Sequence, residues 1–192
     1  GYYMSYNKFS QISLATNYKK LEQIIPVWIQ IKSDGSLVKN YSNQDLNYLK
    51  TYFSSENIFP LVQNFQLNSE VSNKLVSRSH IRKQVGEKLL KVLKYYQFQG
   101  INLDLEGVKK DNSLQFIKFI KELSYLLHSN NMKLGLSIPA KTEKNNSIWG
   151  AAYNYQKLGE LADEIIIMAY DFHWLNSVSG PIAPLRWVQA VI

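Results

Sequence analysis

Between Gly100 and Gly107 apolar and polar positions alternate without a break. Ile101, Leu103 and Leu105 fall on one side, and Asn102, Asp104 and Glu106 on the other. A period of two predicts a β-strand with one apolar and one polar face. Residues two apart on a strand share a face roughly 6–7 Å apart, so Asp104 and Glu106 are aimed into one space. Apolar runs at 1–4, 25–31, 58–64, 133–140 and 164–171 predict five more strands, and Ser33-Asp34-Gly35-Ser36 is a turn closing the second. Between the strands the period lengthens. Ile81, Val85, Leu89, Val92 and Leu93 recur at helical spacing over 79–96, opposite Arg82, Lys83, Glu87 and Lys91. Leu114, Ile117, Ile120, Leu123 and Leu127 predict a second long helix, capped by Asn112 or Ser113. Shorter helices are expected at 18–24, at 44–53 behind an Asn43 cap, at 155–161 after a polar Asn-rich loop, and from near Pro184 onward.

Strand and helix thus alternate about six times, with no hairpin signal. That order predicts an α/β protein with a parallel sheet, either doubly wound or closed into a barrel. No strand runs into a glycine-rich phosphate loop. Polar and aromatic residues instead gather at strand C-terminal ends: Gln63, Asn64, Asp104, Glu106, Tyr170 and Asp171. Barrel enzymes place their chemistry there, and a complete barrel takes eight units and about 250 residues. The expectation is therefore a (β/α)8 TIM barrel cut to about its first six βα units, as one domain over 1–192. Unpaired edges beside the first and sixth strands would invite strand exchange with a second copy.

Composition narrows the chemistry. Hydrophobic residues make up 45% and charged residues 19%, as in ordinary globular domains. No apolar run reaches the roughly 18 residues of a membrane span. The absence of cysteine excludes disulfides, thiolate metal sites and Cys nucleophiles. A net charge of +7 favours an anionic partner, such as nucleic acid or an acidic wall polymer. The lysines are dispersed (Lys19, Lys20, Lys109, Lys110, Lys141, Lys144) and no arginine-rich arm exists, so nucleic acid is not indicated. His80, His128 and His173 show no ligand spacing, and neither metal nor cofactor is expected. The acid pair itself suits general acid–base work if its two environments push the pKa values apart. A solvated strand face and a metal site are the alternatives.

At this point the residues resemble a known family. Residues 99–106 are similar to the fourth-strand signature of family 18 glycoside hydrolases, Asp-Gly-x-Asp-x-Asp-x-Glu. Gly1-Tyr2-Tyr3 resembles the family's first strand, and Met168-Ala169-Tyr170-Asp171 its sixth-strand Met-x-Tyr-Asp. Residues 170–174 with 179–184 look like the spore-germination, cortex-lytic branch, which implies a bacterial protein of the cell wall, spore or extracellular space. The resemblance implies substrate-assisted hydrolysis of β-linked N-acetylglucosamine polymers, peptidoglycan or spore cortex rather than chitin. Glu106 would be the proton donor, Asp104 would orient the acetamido N–H, and Tyr170 would bond the acetamido oxygen. Asp171, Met168 and Tyr2 would shape the subsite beside Asn102, and Trp28 would offer a stacking face unless it is core. Gln99 and Asn102 stand where the signature has its first two aspartates. Asn102 cannot share a proton with Asp104, so the pH profile is expected to differ from the family's. The family's last strand normally supplies a tryptophan under the sugar, and a chain without that strand is expected to be weakly active or inactive. A non-catalytic sugar-binding barrel and a doubly wound binding protein are the competing readings.

Overall fold

The computed structural model describes residues 1–142, 150–174 and 176–191. Seven strands form one sheet: β1 (Tyr2–Tyr3), β2 (Ile25–Ile31), β3 (Leu37–Lys39), β4 (Leu61–Asn64), β5 (Gly100–Asp104), β6 (Lys133–Pro139) and β7 (Glu164–Met168). Six of them are parallel, in the order β1-β2-β4-β5-β6-β7. The helices are α1 (Lys8–Asn17), α2 (Asn43–Lys50), α3 (Ser69–Ser77), α4 (Ser79–Tyr96), α5 (Ser113–His128), α6 (Tyr155–Gly159) and α7 (Leu185–Val191).

The sheet curls. In a flat sheet β1 and β6 would lie four strand spacings apart, about 19 Å. Here the Tyr2 hydroxyl is 2.6 Å from Ser137 Oγ, and Gln23 Nε2 donates to Glu164 across the opposite end at 2.6 Å. This is the wall of a (β/α)8 barrel, concave side inward, with β1 and β7 at its two edges.

Alternation along the strands sorts the side chains between the two faces. Ile101, Leu103, Leu105, Leu134, Leu136 and Ile138 point outward into the main core, against Val85, Leu89 and Leu93 of α4 and Phe116, Phe119 and Leu123 of α5. Inward, the lower half of the wall is apolar, with Ile25, Phe59 and Leu61 packed on Val27 and Ile166. Above that layer stand Gln63, Asn102, Asp104 and Ser137, the last three buried. The polar face of β5 therefore lines the barrel interior rather than a solvated outer face.

Several local expectations are corrected. The turn after β2 is a hairpin: β3 runs antiparallel to β2, and Gly35 takes the left-handed φ of 78° that closes it. The first helix lies earlier than 18–24, because Asn7 accepts from Phe9 N and Ser10 N and starts α1 there. Ser42, not Asn43, caps α2, through a reciprocal capping box with Asp45. In α5 the inner face runs through Phe116 and Phe119, and Leu114 is exposed. α3 follows a turn in which Gln66 and Leu67 both have positive φ, a conformation that no apolar periodicity announces. The helix at 79–96 holds as expected. The Asn-rich stretch at 143–149 lies outside the described residues.

Candidate active site

β5 stops pairing at Asp104, so residues 105–108 leave the sheet and their backbone groups need other partners. Side chains supply them. Asn64 Oδ1 accepts the Glu106 N–H at 2.9 Å, and Ser72 Oγ donates to the Glu106 carbonyl at 2.5 Å. Tyr153 donates to the Leu105 carbonyl at 2.6 Å. Ser69 Oγ and Asn73 Nδ2 both donate to the Gly107 carbonyl, at 2.5 and 3.0 Å. Gly107 has φ 70°, and a Cβ there would lie 2.9 Å from that of Ser69. Glu106 is thus mounted on a backbone segment gripped from three sides, the rigid support that catalytic geometry requires.

Asp104 is 4% exposed and Asn102 1%. Their side chains diverge. Asp104 Oδ2 accepts from Gln63 Nε2 of β4 at 2.7 Å, whereas Asn102 Oδ1 accepts from Ser137 Oγ of β6 at 2.5 Å. Gly135 makes room for that arrangement, since a Cβ there would come within 2.9 Å of Asn102 Nδ2. Two polar atoms in this group are buried without a partner: Asp104 Oδ1 and Asn102 Nδ2. An unpaired buried acceptor costs about 1–3 kcal/mol, which marks Oδ1 as an atom awaiting a donor.

Burial pushes both carboxyls upward. Asp104 rises to about 6, against the opposing effect of the Gln63 bond. Glu106 rises to about 7, through desolvation first and then the negative charges of Asp104 and Asp171. Between these values Asp104 is ionised and Glu106 still holds its proton, the unequal pairing that acid catalysis needs.

A folded-state pKa raised above its ordinary value means that the unfolded chain ionises first, so stability falls as pH rises through the window. For Asp104 that window runs from about 4 to about 6. Asp104→Asn should therefore stabilise the protein by about 1–2 kcal/mol at pH 8, with most of that gain absent at pH 4. Urea melts at the two pH values check this, and equal effects at both would contradict it.

The other residues singled out from the pattern fall in three groups. Tyr2 and Tyr170 stand at the mouth, 40% and 44% exposed, and both interact with the charge of Asp104. Burial and then the Tyr2, Asp104, Asp171 and Glu106 charges hold the Tyr170 hydroxyl protonated, pushed up to about 12. Asp171 sits beside them in a left-handed conformation with φ 58°, and Met168 pairs with Pro139 at the last rung of β7. Trp28 does not belong here. It is fully buried on the outer face, its ring stacked 4.5 Å from Tyr41 and packed on Phe98, so no sugar can reach it. Outward strand positions see helices, and that decides its role. Ser72, Ser69, Asn73 and Tyr153 carried no signal in the pattern, because each acts on a backbone group far along the chain.

A cavity of about 910 Å³ lies at the other end of the sheet, lined by Gly1, Gln23, Phe59, Gln99, Lys133 and Glu164 among others. It is the lower barrel interior between the open edges, and none of the acid pair lines it. Among the described residues no group of three His, Asp or Glu side chains gathers as a metal site.

Comparison with known proteins matches this arrangement to a family. The sequence model of glycosyl hydrolases family 18 matches residues 1–190. The Bacillus subtilis protein named uncharacterized glycosylase YvbX is 24% identical over 93% of this chain and 53% of its own length. The B. subtilis cortical fragment-lytic enzyme is 21% identical over 85% of this chain and 38% of its own. The chain thus spans about half or less of these curated relatives. A chitinase from Chromobacterium violaceum superposes with a TM-score of 0.87 at 22% identity, over 99% of this chain and 62% of that one. The Bacillus megaterium spore cortex-lytic enzyme SleL gives 0.87 at 18% identity, over 100% and 45%. These two likenesses establish the barrel fold, and the match that runs through nearly every strand described above establishes descent: the chain belongs to glycosyl hydrolases family 18.

Proposed function

We propose that the protein hydrolyses β-linked N-acetylglucosamine glycans of peptidoglycan or spore cortex, with retention of anomeric configuration. The observation that carries this reading is the pairing of a protonated Glu106 with an ionised, buried Asp104 whose Oδ1 has no partner. The substrate's acetamido oxygen attacks C1 as the glycosidic C–O bond breaks, and Glu106 gives its proton to the leaving oxygen. Asp104 Oδ1 accepts the acetamido N–H and offsets the positive charge of the oxazolinium formed. The protonated Tyr170 hydroxyl donates to the acetamido oxygen. Glu106, now ionised, takes a proton from water as that water attacks C1 on the face the leaving group vacated, breaking the oxazolinium C1–O bond and restoring the acetamido group. Relatives named cortical fragment-lytic enzyme and sporulation-specific glycosylase favour a wall glycan acting at the spore or cell surface.

The test uses full-length protein on purified cortex, with chitin oligomers and de-N-acetylated cortex beside it. Clearing of cortex, a β-anomer as the first product by NMR, and no attack on the de-N-acetylated glycan are expected. Release of the α-anomer, or equal rates on both glycans, would sink the mechanism. The pH dependence of kcat/KM should be bell-shaped, rising through about 6 as Asp104 ionises and falling through about 7 as Glu106 loses its proton. A flat profile from pH 5 to 8 would contradict the assignment.

A further inference from the structure

In the family's signature the residue two before Asp104 is an acid able to share a proton with it. Here that position is Asn102, whose carbonyl oxygen is occupied by Ser137, itself bonded to Tyr2. The two polar side chains of β5 thus turn to opposite neighbours, Asn102 to β6 and Asp104 to β4. The bond that Asp104 makes to another side chain comes from Gln63, the inward-facing residue of β4 paired with it in register. A primary amide nitrogen can only donate, so Gln63 bonds the carboxylate and offers nothing to share a proton with. It also consumes one oxygen and leaves the other bare.

We infer that Gln63 is a positioning residue for this reaction: it anchors Asp104 through Oδ2 and leaves Oδ1 as the free acceptor for the substrate. The inference rests on the acetamido role proposed for Asp104 and names what holds that group in place. The Gln63 bond favours the ionised form of Asp104, against the larger opposing effect of burial. The Asp104 charge is felt by Glu106 of its own strand end, Tyr2 of β1, Tyr153 before α6 and Tyr170 after β7, each of which it pushes upward. All of them are acids. The amide of Gln63 therefore stands in for the cation that such a carboxylate would otherwise need.

The test has two independent readouts. In the free protein, the carboxyl carbon of Asp104 is titrated by ¹³C NMR in wild type and in Gln63→Leu. Loss of one charge-assisted hydrogen bond should move its midpoint up by about one pH unit. An unmoved midpoint overturns the anchor, and no substrate is involved. In the full-length enzyme, Gln63→Leu should lower kcat about tenfold with KM changed less than about threefold, and shift the acid limb of kcat/KM upward. Gln63→Asn, whose amide falls one bond short, should move both readouts in the same direction should the Leu variant fold poorly. Gln63→Glu places a second acid beside Asp104, so its activity should recover only toward acidic pH, where that acid is protonated and can donate. A merely space-filling Gln63 would leave every pH profile superimposable on wild type, and that result overturns the proposal. A shifted NMR midpoint in a protein that cleaves no N-acetylated glycan supports the anchor and overturns the substrate reading instead.

Discussion

Glu106→Gln should lower turnover of cortex by the full-length protein by about 10³-fold, within the range of 10²–10⁴ that a positioned general acid–base contributes. The substitution is nearly isosteric, and the bonds that mount residue 106 run to its backbone from Asn64 and Ser72, so the segment keeps its place. What is lost is the proton, in both half-reactions. An aryl glycoside with an acidic leaving group needs little protonation in the first step, so its loss should be markedly smaller than that of cortex. KM should change little, because the acid acts in the transition state. Turbidity loss and reducing-end release measure this, with a thermal melt confirming that the variant is folded. A variant within tenfold of wild type on cortex would remove Glu106 from the mechanism.

The second large effect concerns folding. Gly100→Ala should destabilise the protein by about 3 kcal/mol or more, the upper end of the cost of overpacking a core. A Cβ at Gly100 would lie 2.3 Å from the Lys133 carbonyl oxygen and 2.7 Å from Phe59 Cε1. The first of these is backbone in the neighbouring strand, held by the β5–β6 register in which Gly100 pairs with Lys133, and it cannot swing aside. The second belongs to the inner apolar cluster. At this chain length the loss corresponds to a fall in Tm of roughly 6–12 °C. Gly159→Ala is the control, because a Cβ there would meet Ile165 at an ordinary 3.9 Å. It should leave Tm unchanged within about 2 °C or raise it slightly. Equal melting of the two variants would show that the close approach at Gly100 is relieved at no cost.

Much of the site was legible because its signal is local. Strand alternation alone puts Asn102, Asp104 and Glu106 on one face, and the order of strands and helices puts that face inside a barrel. The stripe over 79–96 specifies its helix without help, since five apolar residues at 3.6-residue spacing have one way to be buried together. Local pattern cannot distinguish two sides of a wall when both are covered. Trp28 is apolar in a strand, and whether it faces sugar or helix depends on which side Tyr41 and Phe98 occupy.

Tertiary structure alone decided the rest. Ser72 and Ser69 reach backbone carbonyls 34 and 38 residues away, and Gln63 reaches Asp104 41 residues away. Their own segments give no periodic sign of this. The grip on the Glu106 and Gly107 carbonyls comes from α3, a helix whose start depends on two positive-φ residues and an Asn68 cap rather than on an apolar stripe. The chain by itself therefore determined which carboxylates share one face, because side-chain identity and strand spacing are one-dimensional information. Their inequality arose only on folding. Burial raises both acids, Gln63 restrains one, and the charge of that one raises the other.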